Sequence, residues 1–148
     1  MTTPYLRAEL MRDEGLRLKA YPDPLTGAQP WTIGYGHTGP EVRRDSAWTQ
    51  AQAEDALAAD IAMACRALDR NAAWWRDLDD ARQDVLANMA FNLGWGGLSA
   101  FHHTLAAIRA GDWQGAHDAM LASAWARQVG ARARRLATQM LSGERTPA

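Results

Sequence analysis

The chain has 148 residues, a length that fits one domain and allows a substantial buried core. Its 16 basic and 17 acidic side chains give a formal net charge of −1, which argues against a protein that binds nucleic acid through its overall charge. A single cysteine excludes an intramolecular disulfide and a multi-cysteine zinc site, and we expect neither a membrane span nor a secretory signal.

The composition favours helices over sheet. The chain contains 30 alanines and 15 leucines but only three valines and three isoleucines, and β-branched residues are the ones that sheets prefer. Seven tryptophans are also present, and their large flat rings serve either the core or stacking on a ligand ring. We therefore expect a mostly helical protein with little sheet.

The N-terminal third predicts one helix followed by two strands. Apolar residues recur on one side of residues 5–14, and Gly15 marks the end of that helix. Alternation of apolar and polar residues predicts strands at 16–20 and 31–38, and the proline- and glycine-containing connection between them predicts a loop. The two strands predict a small antiparallel sheet.

The rest of the chain predicts helices. Thr49 and Gln52 have the spacing of a capping box, and apolar residues then keep helical spacing as far as Leu68. Glycines separate four further helical patterns, at about 79–92, 100–110, 112–124 and 131–142.

The order of these elements predicts a two-lobed α+β fold that is mainly helical. We expect a single domain over residues 1–148, with a sheet lobe at about 15–48 and a helical lobe at about 70–145 that includes the N-terminal helix. The long helix connects the lobes. A cleft between two lobes suits an elongated ligand.

Two carboxylates are candidates for acid and base chemistry. Glu14 lies at the C-terminal end of the first helix, where the helix dipole disfavours a negative charge. Asp23 lies in the polar loop, and Thr32 begins the next strand, where it can hold a water against Asp23. Glycoside hydrolysis needs a neutral acid beside an ionised carboxylate. Such residues are more often ordinary surface groups when composition alone is considered.

Two stretches of the chain match a known signature in order and spacing. They read EGLRLKAYPD at residues 14–23 and WTIGYGHT at residues 31–38. Together they closely resemble the phage-type lysozymes, glycoside hydrolase family 24, whose endolysins cut the β-1,4 bond between N-acetylmuramic acid and N-acetylglucosamine in peptidoglycan. The resemblance extends over about residues 5–142.

This resemblance implies catalytic roles for three residues. Glu14 falls on the family's general acid, Asp23 on its second carboxylate, and Thr32 on the threonine near the attacked anomeric carbon. The family inverts configuration, and the resemblance implies no cofactor and no metal. Eight residues separate Asp23 from Thr32, so this loop is longer than in the short form of the family.

The resemblance also implies residues that bind substrate. Asn88 and Asn92 share a helix face, which the family places on the cleft floor to bind acetamido groups; the alternative is that one of them caps or bridges helices. Trp95, among three glycines, is expected as an exposed aromatic at the cleft edge. Arg132 is placed next to Glu14.

Other residues are expected to be structural. The resemblance pairs His37 with Asp60 of the long helix, in an ion pair that links sheet to helix. Cys65 is expected to be a small buried side chain. The tryptophans expected in the core are Trp74, Trp75, Trp113 and Trp125.

The sequence predicts a monomeric bacteriolytic muramidase whose partner is bacterial peptidoglycan, with no nucleic acid and no obligate membrane contact. We expect synthesis in the cytoplasm of a bacterial host, action in the periplasm after a membrane lesion, and lysis of the host cell. One alternative is an enzyme that acts on chitin-like polymers, which carry the same acetamido groups and β-1,4 links.

The other alternative is a non-hydrolytic sugar-binding or membrane-active module. Residues 121–148 carry five arginines and one glutamate, a balance that could draw the protein to anionic surfaces. Because Glu14, Asp23 and Thr32 are all present, the enzyme is the favoured prediction.

Overall fold

A computed structural model describes residues 4–24 and 26–145. Within these residues the chain forms seven α-helices, one short 3₁₀ helix and a three-stranded antiparallel sheet. The elements are α1 (Pro4–Glu14), β1 (Arg17–Tyr21), β2 (Thr32–Gly34), β3 (His37–Thr38), α2 (Gln50–Asn71), the 3₁₀ helix (Ala73–Asp77), α3 (Asp80–Leu98), α4 (His102–Ala110), α5 (Trp113–Leu121), α6 (Ala124–Val129) and α7 (Ala131–Ser142). The α+β, mainly helical class predicted from the sequence is confirmed.

The chain divides into two compact units, Met1–Met63 and Ala64–Ala148. The first unit contains α1, the sheet and the N-terminal part of α2, and the second contains the remainder of α2 and every later helix. Among the described residues, no helix combines the length and the apolar character needed to cross a membrane.

Helix α1 ends as the sequence predicts. Leu6 and Leu10 bury its apolar side, with 1% and 0% of their surface exposed. Gly15 takes a φ of 69°, and its N–H donates to the carbonyl of Met11 at 3.0 Å. A left-handed residue of this kind closes a helix at low cost only when it is glycine. Glu14 therefore becomes the last residue of the helix.

The sequence predicts one continuous strand at 31–38, and this prediction is wrong. The segment forms two short strands, β2 and β3, because Tyr35 and Gly36 make a turn in which Gly36 has a φ of 72°. Strand β2 is the centre of the sheet, between β1 and β3. Alternating polarity does not reveal a tight turn when its residues continue the same alternation.

The register of the sheet places three polar side chains in one row. Thr32 of β2 lies directly opposite Tyr21 of β1 and opposite Thr38 of β3. Directly opposed residues in antiparallel strands project from the same face. Tyr21, Thr32 and Thr38 therefore share one face, and Ile33, which is fully buried and pairs with His37, belongs to the other.

The face that carries His37 is fixed to the N-terminal part of α2. His37 Nδ1 lies 2.7 Å from Asp60 Oδ2, in the ion pair that the resemblance implies. His37 Nε2 lies 2.6 Å from Glu41 Oε1, a contact that the sequence did not predict. The imidazole also packs against Trp48, with ring centroids 5.3 Å apart. His37 thus has a carboxylate at each ring nitrogen.

Helix α2 begins with the predicted capping box. The N–H of Thr49 donates to Gln52 Oε1 at 2.8 Å, and the N–H of Gln52 donates to Thr49 Oγ1 at 3.2 Å. This reciprocal pair satisfies two of the N–H groups that a helix start leaves without partners. The helix continues to Asn71, slightly beyond the predicted Leu68.

Two boundaries in the second unit differ from the prediction. The pattern at 112–124 divides into α5 and α6, because the Ser123 hydroxyl accepts from the N–H of Ala126 at 3.2 Å and starts a new helix. The glycine-rich stretch at 94–97 interrupts the helix at Gly94, whose backbone is non-helical with φ 68° and ψ 165°, as the glycines predict, but a short helical segment then follows as far as Leu98.

The buried tryptophans of the second unit use their indole N–H groups internally. Trp75 donates to Asp69 Oδ1 at 2.8 Å, and Trp125 donates to Asn92 Oδ1 at 2.7 Å. Both rings are buried, and so is Cys65, as expected. Trp74 and Trp113 are half-buried, so the prediction that they belong to the core is only partly right.

We predict that replacing His37 makes stability depend less on pH. Partial burial lowers the pKa of His37, but hydrogen bonds to Glu41 and Asp60 outweigh burial and raise it above 6.5. The stabilisation is therefore complete below the unfolded pKa and is lost as pH rises through the folded pKa. His37→Asn should lower the free energy of unfolding by about 1.5–3 kcal/mol at pH 5.5, and by less at pH 9.

Denaturant unfolding of wild type and variant at both pH values measures this difference. His103→Asn, at an exposed position of α4, is the matched control and should show no such pH dependence. An equal loss of stability at pH 5.5 and pH 9 would show that the His37 ion pairs do not stabilise the fold.

Candidate functional site

The carboxyl group of Glu14 lies against the backbone of Gly36. Glu14 is half-buried at the end of α1. A Cβ atom built on Gly36 would lie 2.5 Å from Glu14 Oε2 and 3.0 Å from Glu14 Cδ. Both this space and the positive φ of Gly36 require glycine. The turn between β2 and β3 therefore sets where the carboxyl group sits.

Tyr21 links this carboxyl group to the sheet. Burial raises the pKa of the Tyr21 hydroxyl, the negative charge of Glu14 raises it further, and Arg17 opposes the shift. The Arg17 guanidinium lies over the Tyr21 ring, 5.2 Å from its centroid. The phenol therefore stays protonated and neutral near Glu14, and it lies directly opposite Thr32.

Thr32 occupies the centre of the polar row. It is half-buried on the middle strand, on the face opposite to that of the buried Ile33. The structure thus brings Glu14, Tyr21 and Thr32 into one region of the first unit. The sequence did not single out Tyr21 or Gly36, although both lie inside the stretches that carry the resemblance.

Asp23 organises the long loop. Its N–H donates to the carbonyl of Ala28 at 3.0 Å, and its own carbonyl accepts from the N–H of Gly27 at 2.8 Å. Its carboxylate Oδ2 accepts from the N–H of Thr26 at 3.2 Å. These bonds join Asp23 to Thr26, Gly27 and Ala28, so the two ends of this part of the loop lie close together before the chain returns to β2. The structure holds Asp23 through its own loop rather than through α1.

Asn88 makes hydrogen bonds within the second unit. It is fully buried, and its Oδ1 accepts from Arg132 Nε at 3.0 Å and from Arg132 Nη2 at 2.8 Å. Asn88 thus bridges α3 and α7, which is the structural role that the sequence left open, and its contact with substrate stays a prediction.

Asn92 and Trp95 also differ from the simplest expectation. The carboxamide oxygen of Asn92 accepts from the indole N–H of Trp125, so it holds α6 to α3. Trp95 is half-buried in the last turns of α3 and is not the fully exposed loop aromatic that its glycine neighbours predicted. The reason is that the backbone becomes helical again after the kink at Gly94.

The candidate site in the first unit consists of side chains that carry oxygen atoms. Within residues 4–24 and 26–145, no group of three or more His, Cys, Asp or Glu side chains is placed to hold a metal ion. A carboxyl group, a neutral phenol and a threonine hydroxyl lie near each other, and a second carboxylate lies in the adjoining loop. Such a set suits proton transfer to and from oxygen atoms.

Two known phage proteins are similar to this chain. The pre-baseplate central spike protein Gp5 of Enterobacteria phage T4 is 34% identical over 158 aligned residues, which cover 90% of this chain and 27% of the spike protein. The endolysin of Acyrthosiphon pisum secondary endosymbiont phage 1 is 37% identical over 109 residues, covering 72% of this chain and 68% of that endolysin.

The chain therefore spans about a quarter of the spike protein and about two thirds of the endolysin. The phage lysozyme family itself matches residues 11–140, a range that includes Glu14, Asp23, Thr32 and Arg132. The resemblance inferred from two short stretches is thus confirmed over most of the sequence, and the chain belongs to the phage lysozyme family.

Proposed function

We propose that this protein is a lysozyme-type glycoside hydrolase of bacterial peptidoglycan, which cleaves the β-1,4 bond between N-acetylmuramic acid and N-acetylglucosamine with inversion. Membership of the phage lysozyme family and the similarity to a phage endolysin support this activity. The observation that carries the proposal is the close approach of the Glu14 carboxyl group to the backbone of Gly36, beside the row that contains Thr32. We also propose that this hydrolysis of peptidoglycan leads to lysis of the host cell.

Glu14 acts as the general acid. As the glycosidic C–O bond breaks, Glu14 donates its proton to the leaving oxygen, so that the departing sugar leaves as a neutral alcohol. Gly36 leaves room for the carboxyl group, because no side chain competes for that space. The neutral Tyr21 hydroxyl adds a hydrogen-bonding group close to the acid without adding a second negative charge.

Asp23 and Thr32 position the attacking water. The Asp23 carboxylate takes a proton from the water, while the Thr32 hydroxyl orients it towards the anomeric carbon. Inversion requires space for this water between the two carboxyl groups, which inverting enzymes keep about 6.5–9.5 Å apart. The bonds that Asp23 makes within its loop suit this role, since they orient the side chain before substrate binds.

The similarity to a central spike protein raises a second possibility for where this enzyme acts, as one part of a longer phage protein. That relative is much longer than this chain, which corresponds to 27% of it. We propose an endolysin made in the host cytoplasm that acts in the periplasm after a membrane lesion, as a monomer without a cofactor. The same catalytic unit would serve equally as a part of a larger phage particle.

Glu14→Gln should abolish most of the activity. Loss of a general acid typically lowers the rate by about 10²–10⁴-fold or more, and the amide has nearly the same shape as the carboxyl group. Release of reducing ends from purified peptidoglycan, with product masses, measures the effect. Glu54→Gln is the matched control, because it removes only a 3.6 Å ion pair with Arg7 on the surface.

Substantial turnover by Glu14→Gln would contradict the assignment of the acid. Equal turnover of purified chitin and of peptidoglycan by the wild type would contradict the proposed substrate. Cell killing without new reducing ends would favour the non-hydrolytic alternative.

Gly36→Ala should lower kcat by about tenfold to a hundredfold with little change in KM. The added methyl group displaces the Glu14 carboxyl group, and misplacement of a catalytic group by about 1 Å is enough for such a loss. Gly111→Ala is the control: Gly111 also has a positive φ, of 76°, but a Cβ there meets only Trp113 at an ordinary 3.8 Å.

Both variants should lose about 1–2 kcal/mol of stability from backbone strain, because both place an alanine in a left-handed conformation. Only Gly36→Ala should lose activity. If the two variants kept the same kcat, the contact between Gly36 and Glu14 would have no catalytic importance.

A further inference from the structure

A cavity at the edge of the sheet has none of the residues proposed for bond cleavage in its lining. Its volume is about 490 Å³, within the range of ligand-binding cavities. One wall is the end of the long loop, and the other is β3 with the segment after it. We call it the Trp31 pocket, and it is lined by Gln29, Pro30, Trp31, Thr38, Gly39, Pro40 and Val42.

We propose that the Trp31 pocket binds the N-acetylglucosamine ring of a glycan strand, as an accessory site beside the catalytic residues. The inference rests on the proposed function for the identity of the natural polymer. The lining of the pocket and its position in the sheet support the site itself.

The lining has the character of a sugar site. The half-buried Trp31 offers part of a flat ring, and the pyrrolidine rings of Pro30 and Pro40 and the buried Val42 add apolar surface. The exposed Gln29 and Thr38 supply a carboxamide and a hydroxyl group. A pyranose ring has apolar C–H faces and a polar rim, so it matches an aromatic ring bordered by polar groups.

The polar groups of the pocket are available to a ligand. Within the described part of the chain, the Trp31 indole N–H, the Gln29 carboxamide and the Thr38 hydroxyl have no hydrogen-bond partner in the protein. The buried Trp75 and Trp125, by contrast, both donate to side chains. The Trp31 indole N–H therefore remains available as a donor beside the ring that lines the pocket.

The pocket favours a neutral ligand. None of its lining residues is charged. Glu41, which lies in sequence between Pro40 and Val42, is engaged by His37 at 2.6 Å. An anionic group such as a stem-peptide carboxylate would find no cation among the lining residues. The uncharged N-acetylglucosamine ring is the component of peptidoglycan that fits.

The pocket adjoins the strands that carry the proposed catalytic row. Trp31 directly precedes Thr32, and Thr38, which lines the pocket, lies opposite Thr32 on the same face of the sheet. The lining therefore includes both a sequence neighbour and a cross-strand partner of Thr32. Gln29 and Pro30 belong to the extended loop, so the additional residues of this chain build one wall of the pocket.

Binding can be measured without turnover, by NMR titration of the full chain carrying Glu14→Gln. The probe is the N-acetylglucosamine trimer. We expect shifts of the Trp31 indole N–H and of the amides of Thr38, Gly39 and Val42. Trp31→Ala in the same background should weaken binding about tenfold, equivalent to about 1.4 kcal/mol, whereas Trp31→Phe should retain most of the affinity.

Trp74→Ala is the matched control, because Trp74 is also half-buried but lies in the second unit. It should leave the affinity unchanged. In the chain with Glu14 intact, Trp31→Ala should raise KM for soluble peptidoglycan fragments more than it lowers kcat. A fall in kcat with unchanged KM and unchanged affinity would assign Trp31 to the support of Thr32 and would overturn the accessory site.

The accessory site and the proposed function fail in different ways. If wild type hydrolyses peptidoglycan while the trimer leaves the pocket resonances unshifted, the accessory site is wrong and the function stands. If the trimer shifts these resonances but no peptidoglycan is hydrolysed, the function is wrong and the site stands. Shifts caused by a sugar-free stem peptide, without shifts from the trimer, would overturn the N-acetylglucosamine assignment.

Discussion

The carboxyl group of Glu14 occupies the space that a side chain at residue 36 would fill. For this arrangement to exist, α1 has to end at Glu14, and the chain has to turn sharply between β2 and β3. Gly15 and Gly36, both with positive φ, provide these two backbone conformations. The catalytic proposal depends on this contact, because a carboxyl group donates its proton efficiently only from a fixed position.

The turn that carries Gly36 is itself held from the opposite side of the sheet. His37, the next residue, is paired with Asp60 on α2 and with Glu41 in the following segment. A protonated imidazole between two carboxylates forms charge-assisted hydrogen bonds at both nitrogens. The same short segment thus contacts the acid through Gly36 and the long helix through His37, which couples the position of the acid to the packing of the first unit.

Local features of the fold could be predicted from the sequence. The end of α1 at Gly15 and the capping box at Thr49 each depend on residues within one helical turn, so their patterns are visible in the chain itself. The break at Tyr35 was missed because the residues of the turn continue the alternation of a strand. The start of α6 at Ser123 was missed because it interrupts an otherwise helical pattern.

Long-range pairings in the candidate site could not be predicted in the same way. The amide of Asn88 accepts from Arg132, which lies 44 residues later in the chain, and no local sequence pattern indicates that this amide is buried. Glu41 follows His37 by four residues outside any helix, so the spacing alone has no geometric meaning. The residues proposed for catalysis were inferred from the resemblance. The Trp31 pocket could not be predicted, because it depends on where the loop after Asp23 returns to the sheet.

We propose that catalysis depends on one chemical event, in which Glu14 protonates the leaving oxygen while a water held by Asp23 and Thr32 attacks the anomeric carbon from the other side. The anomeric configuration of the first product tests this event most directly. Proton NMR during early hydrolysis of soluble peptidoglycan fragments by the wild type should show the α-anomer first, followed by mutarotation. Initial appearance of the β-anomer would contradict the water-mediated mechanism and would make Asp23 a nucleophile.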